Sequence, residues 1–135
     1  MIFSGGLNVI RGDNEASKTT RIESILYAFF GSKGLREPLA KVVTYDKPEG
    51  SLKVELDFAY DGVDYHIKRG KSGAELTYGD QSVTGQTEVR VFCERLFGCS
   101  ADPAKQLVIA DQYSLFGCLA QGGTAAGSLV ERLAD

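Results

Sequence analysis

The apolar positions of this chain change their period along its length, and each change marks an element. A short apolar run over residues 7–10, in "GLNVIRG", is closed by Gly12, as a buried strand entering a turn would be. In "KTTRIESILYAFFG" the apolar residues Ile22, Ile25, Leu26 and Phe29 fall at i, i+3, i+4 and i+7, which predicts an amphipathic helix, with Gly31 and Gly34 as its stop. Residues 31–50 carry Gly, Pro and mixed charge without sustained period and read as a long surface connection. From Ser51 the period becomes two. Leu52, Val54, Leu56 and Phe58 point one way while Lys53, Glu55 and Asp57 point the other, a half-buried strand. Asp61-Gly62 is a favoured hairpin turn; Val63, Tyr65 and Ile67 then alternate with Asp64, His66 and Lys68, and a further strand, "AELTYG", follows "RGKSG". The middle of the chain is therefore an antiparallel meander. "TEVRVFCERLFG" returns to helical spacing through Val89, Phe92, Cys93 and Leu96, with Gly98 as its stop. "KQLVIADQYSL" reads as a strand running into a polar turn, and "TAAGSLVERLAD" starts another helix.

Composition narrows the class. With 135 residues, 43% hydrophobic and 24% charged, residues 1–135 suit one compact domain with its own core. A formal net charge of −3 gives no general electrostatic footprint for nucleic acid, so any DNA contact would be local or borrowed from a partner. The three cysteines, Cys93, Cys99 and Cys118, form no C-x-x-C pair, and the single histidine, His66, is far from them in sequence, which argues against a disulfide framework or a zinc site. Cys93 and Cys118 lie among Phe, Leu and Val, where a free cysteine acts as a small buried hydrophobe in a reducing compartment, so a cytoplasmic location is expected. Neither a basic signal-peptide n-region nor an apolar stretch of about 20 residues is present, so neither secretion nor membrane insertion is indicated.

The chemistry-bearing segment is "GDNEASKTT", one residue away from the phosphate-loop pattern G-x-x-x-x-G-K-[ST]. In such a loop, backbone N–H groups at a helix N-terminus curl around the phosphates, the lysine reaches the β and γ oxygens, and the next hydroxyl ligates Mg²⁺. Here Gly12 would permit the sharp exit from the strand, and Asp13, Asn14, Glu15, Ala16 and Ser17 would supply the N–H groups. Lys18 would reach the phosphates, Thr19 would ligate the metal, and Thr20 is the last of the candidate nucleotide-binding residues. The plain alternative is an ordinary cap by Asn14 or Ser17 with Lys18 solvated. The position of the match between an apolar strand and an amphipathic helix favours the phosphate loop. Ser17 adds a Cβ where glycine lets the backbone approach the phosphates; strain of about 1–3 kcal/mol would weaken affinity roughly 5- to 150-fold without abolishing it.

The segment "GLNVIRGDNEASKTTRIESILYAFFG" resembles the N-terminal part of the SMC-like DNA-repair ATPases, in particular the large subunit of SbcC-type exonucleases of phages or bacteria. Asn8, Gly12, Asn14, Lys18 and Thr19 match that family's pattern, whereas Ser17 departs from it. "LVIADQYSLFGCL" is similar to the segment carrying the family's Q-loop glutamine, here Gln112, although Tyr113 stands where the family usually has a small residue. The resemblance implies an α/β fold: the N-terminal half-domain of an ABC-type P-loop NTPase head with an antiparallel meander, truncated before the coiled coil. It implies ATP and Mg²⁺ as cofactors, with Lys18 and Gln112 in catalysis and Thr19 and Gln112 near the metal. The implied partners are a C-terminal half of the head or a second head, an SbcD-like nuclease subunit, and DNA through the assembled complex. Hydrolysis would require that other half, and the function would lie in double-strand-break repair.

Two other readings stay open. Residues 107–111 have the form of four apolar residues and an aspartate, so Asp111 could hold Mg²⁺ in a small stand-alone NTPase; Gln112 in the position of the catalytic glutamate favours the Q-loop. Alternatively, Ser17 marks a decayed loop in a non-catalytic interaction module that binds through exposed sheet edges. His66 and Asp57 read as solvated residues of the polar strand face, the basic run 68–71 as a solvated turn with at most a DNA-phosphate contact, and Arg36 as a loop residue within possible reach of the nucleotide.

Overall fold

A computed structural model of the chain describes residues 2, 3, 5, 18–35, 38 and 52–105. In order these form helix α1 (Lys18–Phe30), a 3-10 turn (Gly31–Gly34), strands β1 (Lys53–Tyr60), β2 (Val63–Gly70), β3 (Ala74–Tyr78) and β4 (Gln81–Thr84), helix α2 (Gln86–Phe97) and a single turn α3 (Ala101–Pro103). The expected strand at residues 7–10, the strand and turn expected over residues 105–115 apart from Lys105, and the expected C-terminal helix lie outside the described residues; Lys105 itself is helical.

The four strands form one antiparallel sheet in the order β1-β2-β3-β4. Register follows the alternation. Leu56, Ile67, Leu76 and Val83 stand opposite one another across all four strands and make one inward row. The neighbouring row, Asp57, His66, Thr77 and Ser82, faces outward. Asp61 (φ 49°) and Gly62 (φ 75°) make the two-residue turn that the Asp-Gly pair predicts. Strand β4 was not foreseen: "QSVT" has a single apolar residue and too short an alternation to stand out, and it is fixed by its pairing with β3.

Both helices cover the inward face, α1 over β1 and β2, α2 over β3 and β4, and they touch each other. Ile67, Leu76, Val89 and Cys93 are fully buried between the layers. Each of the aliphatic residues among them stabilises by about 1.5–3 kcal/mol relative to leaving it exposed. α2 keeps the predicted face, with Val89 and Cys93 buried and Phe92 and Leu96 packed against them, and it ends at Gly98 in the left-handed conformation (φ 67°). α1 does not bury the whole of its predicted face: Ile22, Ile25 and Phe29 are half-buried, while Leu26, Tyr27, Ala28 and Phe30 are buried. A second, smaller cluster accounts for part of this, with Leu26 and Phe30 packed against Ala101 and Ala104. The connection after α1 opens as a 3-10 turn in which Leu35 N–H donates to the Ser32 carbonyl at 3.3 Å, rather than as irregular loop.

Candidate functional site

The helix expected to follow the phosphate loop is described over Lys18–Phe30, from the Lys-Thr of the motif onward. Among the described residues its first turn contains no acidic side chain. Lys18, Thr19, Thr20 and Arg21 occupy that turn. Thr20 is exposed, and its carbonyl accepts a hydrogen bond from Ser24 Oγ at 2.6 Å. Gly12, Asp13, Asn14, Glu15, Ala16, Ser17, the side chains of Lys18 and Thr19, and Arg36, Asp111 and Gln112 lie outside the described residues.

The far end of α1 is held by a residue that sequence reasoning misplaced. The run 68–71 is not a solvated turn: Lys68 is exposed, but Arg69 lies within β2 on its inward face, between Val54 and Ala74, and is 1% exposed. It continues the phase of Tyr65 and Ile67, a signal that was present in the alternation and was outweighed by its charge. The guanidinium is satisfied by carbonyl groups. Nε donates to the Ala28 carbonyl at 2.9 Å, and Nη1 donates to the Gln86 carbonyl at 3.2 Å and to Gln86 Oε1 at 2.6 Å. Nη2 makes a longer contact of 3.4 Å to the Phe29 carbonyl. Gln86 Nε2 in turn donates to the Gly70 carbonyl at 2.6 Å. Arg69 therefore ties the C-terminal carbonyls of α1, which have no partner within the helix, to β2 and to the start of α2.

This centre has a defined electrostatic character. Burial lowers the Arg69 pKa from its ordinary value, yet a guanidinium stays charged at neutral pH. Burial raises the Tyr27 hydroxyl, partly offset by Arg69, and pushes the Cys93 thiol up to about 11. Cys93 is thus a neutral core thiol, as its apolar neighbours predicted.

On the outward face His66 Nδ1 pairs with Asp57 Oδ1. The Asp57 side chain is 84% exposed, which agrees with its reading as a surface carboxylate; His66 is half-buried. Among the described residues no group of three or more His, Cys, Asp or Glu is placed to hold a metal. No helix among them is long and apolar enough to cross a membrane.

Comparison with known proteins agrees with this arrangement. A family model described as "AAA domain" matches residues 2–111. The DNA double-strand break repair Rad50 ATPase of Archaeoglobus fulgidus is 33% identical over 93 residues, covering 69% of this chain and 10% of that protein. Those of Thermoplasma volcanium and Thermoplasma acidophilum are 32% identical over 106 residues and 35% identical over 69 residues. These alignments cover 11% and 7% of the two proteins, so the chain spans about a tenth of the length of the curated relatives it matches. The α/β arrangement fits a P-loop NTPase-like fold, and the family match runs through the motif at Lys18, the meander and both helices that pack on it: the chain belongs to the AAA domain family.

Proposed function

We propose that this chain supplies the ATP-binding half of a Rad50-like ATPase head of the ABC type, with the phosphate loop at Gly12 to Thr19 and the Q-loop at Gln112. Hydrolysis then waits for a C-terminal half and a second head, and the work of the assembly is DNA double-strand-break repair beside an SbcD-like nuclease subunit. The observation that carries the reading is the near-complete phosphate-loop motif of residues 12–19 leading into helix α1, within a segment that matches the family over residues 2–111. Mg²⁺–ATP would bring its polyphosphate to that helix end, where Lys18 and the loop N–H groups would hold it and the Thr19 hydroxyl would ligate the metal. Bound Mg²⁺ would offset the phosphate charge.

Isothermal titration of the purified chain with ATP and Mg²⁺ tests this directly. Saturable binding is expected, lost in Lys18→Ala and tightened roughly 5- to 150-fold in Ser17→Gly, the inverse of the strain assigned to the serine Cβ. Binding indifferent to both substitutions would refute the phosphate loop. Absence of heat in all three proteins would mean that the half-domain does not hold nucleotide alone, and would shift the reading to an interaction module or to a fragment that needs its other half.

A further inference from the structure

Arg69 is an unfavourable residue with which to fill the inward face of a sheet. Between Val54 and Ala74 an apolar side chain of similar length would be buried with no charge to desolvate, and replacing buried ions by apolar residues is often neutral or stabilising. What a guanidinium adds is geometry: its donors lie in a rigid planar fork, so each bond it makes fixes a distance and a direction. Apolar burial has no such direction.

The fork joins three elements. From β2, Nε and Nη2 reach the Ala28 and Phe29 carbonyls at the C-terminal end of α1, while Nη1 reaches both the main chain and the side chain of Gln86, where α2 opens. Gln86 is itself held, through Nε2 on the Gly70 carbonyl. The chain leaves α1 beside the guanidinium: Gly31, at φ 64°, has no Cβ, and one placed there would stand 3.0 Å from Arg69 Nη1 and 3.8 Å from Gln86 Oε1. The apolar contacts of Ala28 and Phe29 with the sheet cluster draw α1 onto the sheet, and the fork fixes where along its axis the helix stands.

We propose that Arg69 is a positioning residue for the nucleotide site: by holding the C-terminal carbonyls of α1 against β2 and Gln86, it sets the place of the helix whose other end carries Lys18 and Thr19. This rests on the nucleotide reading of residues 12–19. A helix of 13 residues is about 20 Å long at 1.5 Å per residue, so Arg69 acts at a distance and touches no phosphate. The hydrogen-bonded rod moves as a body, and a shift or tilt allowed at Ala28 and Phe29 is carried to Lys18. Substitutions in bonded networks of this kind change the affinity of a remote site by roughly 2- to 30-fold.

The test is calorimetric titration with ATP and Mg²⁺ of the wild-type chain, Arg69→Lys, Gln86→Met and Leu76→Ala, with circular dichroism and urea denaturation giving the fold and stability of each. Arg69→Lys keeps the charge and the stem but not the fork, so it cannot hold α1 and Gln86 together. Gln86→Met removes the side-chain brace and leaves Arg69 its main-chain acceptors. Leu76→Ala is the control for stability alone, since Leu76 is fully buried on β3 beneath α2 and has no part in the fork. Affinity is expected to fall roughly 2- to 30-fold in Arg69→Lys and by a smaller factor in Gln86→Met, with Leu76→Ala within about twofold of the wild type. Wild-type affinity in a folded Arg69→Lys, or an equal loss in Leu76→Ala, would overturn the positioning role and leave the nucleotide reading standing. Should Arg69→Lys not fold, Gln86→Met decides in its place, and unchanged affinity there overturns the role. No binding by the wild type would overturn both.

Discussion

A guanidinium that is 1% exposed must satisfy its donors inside the protein, and Arg69 does so on the carbonyls of Ala28 and Gln86 and on Gln86 Oε1. Truncation leaves those acceptors buried without a donor, which costs more than the bonds themselves contribute. Arg69→Met, which keeps the apolar stem, is expected to destabilise by about 2–4 kcal/mol in urea denaturation; a loss below about 1 kcal/mol would show that the carbonyls find other partners. Cys93 carries the pH prediction. Burial holds its thiol neutral with a pKa of about 11, above the ordinary 9.0, so the fold favours the protonated form. Its contribution is complete below pH 9 and is lost between pH 9 and 11, as the unfolded chain ionises and the native one does not, a change on the order of 2 kcal/mol. Thermal unfolding across that range should therefore fall more steeply for the wild type than for Cys93→Ala. Parallel curves would show that the thiol is not the group responsible.

At the scale of elements, the two helix ends stop for different reasons, and alanine distinguishes them. Gly98 ends α2 at φ 67° with open space where a Cβ would stand, so Gly98→Ala meets only backbone strain and should cost about 1 kcal/mol. Asparagine there should recover most of that loss, because it tolerates the left-handed region. Gly34 ends the 3-10 turn against α1, and a Cβ would lie 2.3 Å from the Leu26 carbonyl oxygen, which is main chain and cannot swing aside. Gly34→Ala must separate the turn from the helix and should cost more than Gly98→Ala, about 2–3 kcal/mol by denaturation. The reverse order would mean that the turn does not pack this closely in solution. The same close approach explains why the connection after α1 starts as structure: the bare α-carbon lets the chain fold back on the helix before it leaves.

For the molecule as a whole, Phe29 and Phe97 join what would otherwise be two separate clusters, since each packs against both. Their rings meet edge to face with centroids 4.9 Å apart, and both also contact Phe58 on β1, at 5.1 and 6.0 Å. A double-mutant cycle on Phe29→Leu and Phe97→Leu should give a coupling of about 0.5–1.5 kcal/mol. A coupling near zero would show that the sheet cluster and the α3 cluster are stabilised independently. This joint lies at the C-terminal end of α1, the same end that Arg69 holds through the Ala28 carbonyl.

Much of this architecture was legible from periodicity alone. A helix repeats every 3.6 residues and a strand every two because of backbone geometry, so α1, β1, β2, β3 and α2 could be read from the spacing of Ile25 and Phe29, of Val54 and Leu56, or of Val89 and Cys93. The motif ending at Lys18-Thr19 was equally local. What the sequence alone did not settle depended on residues distant along the chain. Strand β4 has too little apolar content to announce itself and exists through its pairing with β3. Leu26 and Phe30 of α1 are buried because Ala101 and Ala104 come back to them. Arg69 reads as a surface cation until carbonyls from residues 28 and 86 surround it, for a buried charge is decided by the partners that tertiary structure brings and not by its neighbours in sequence.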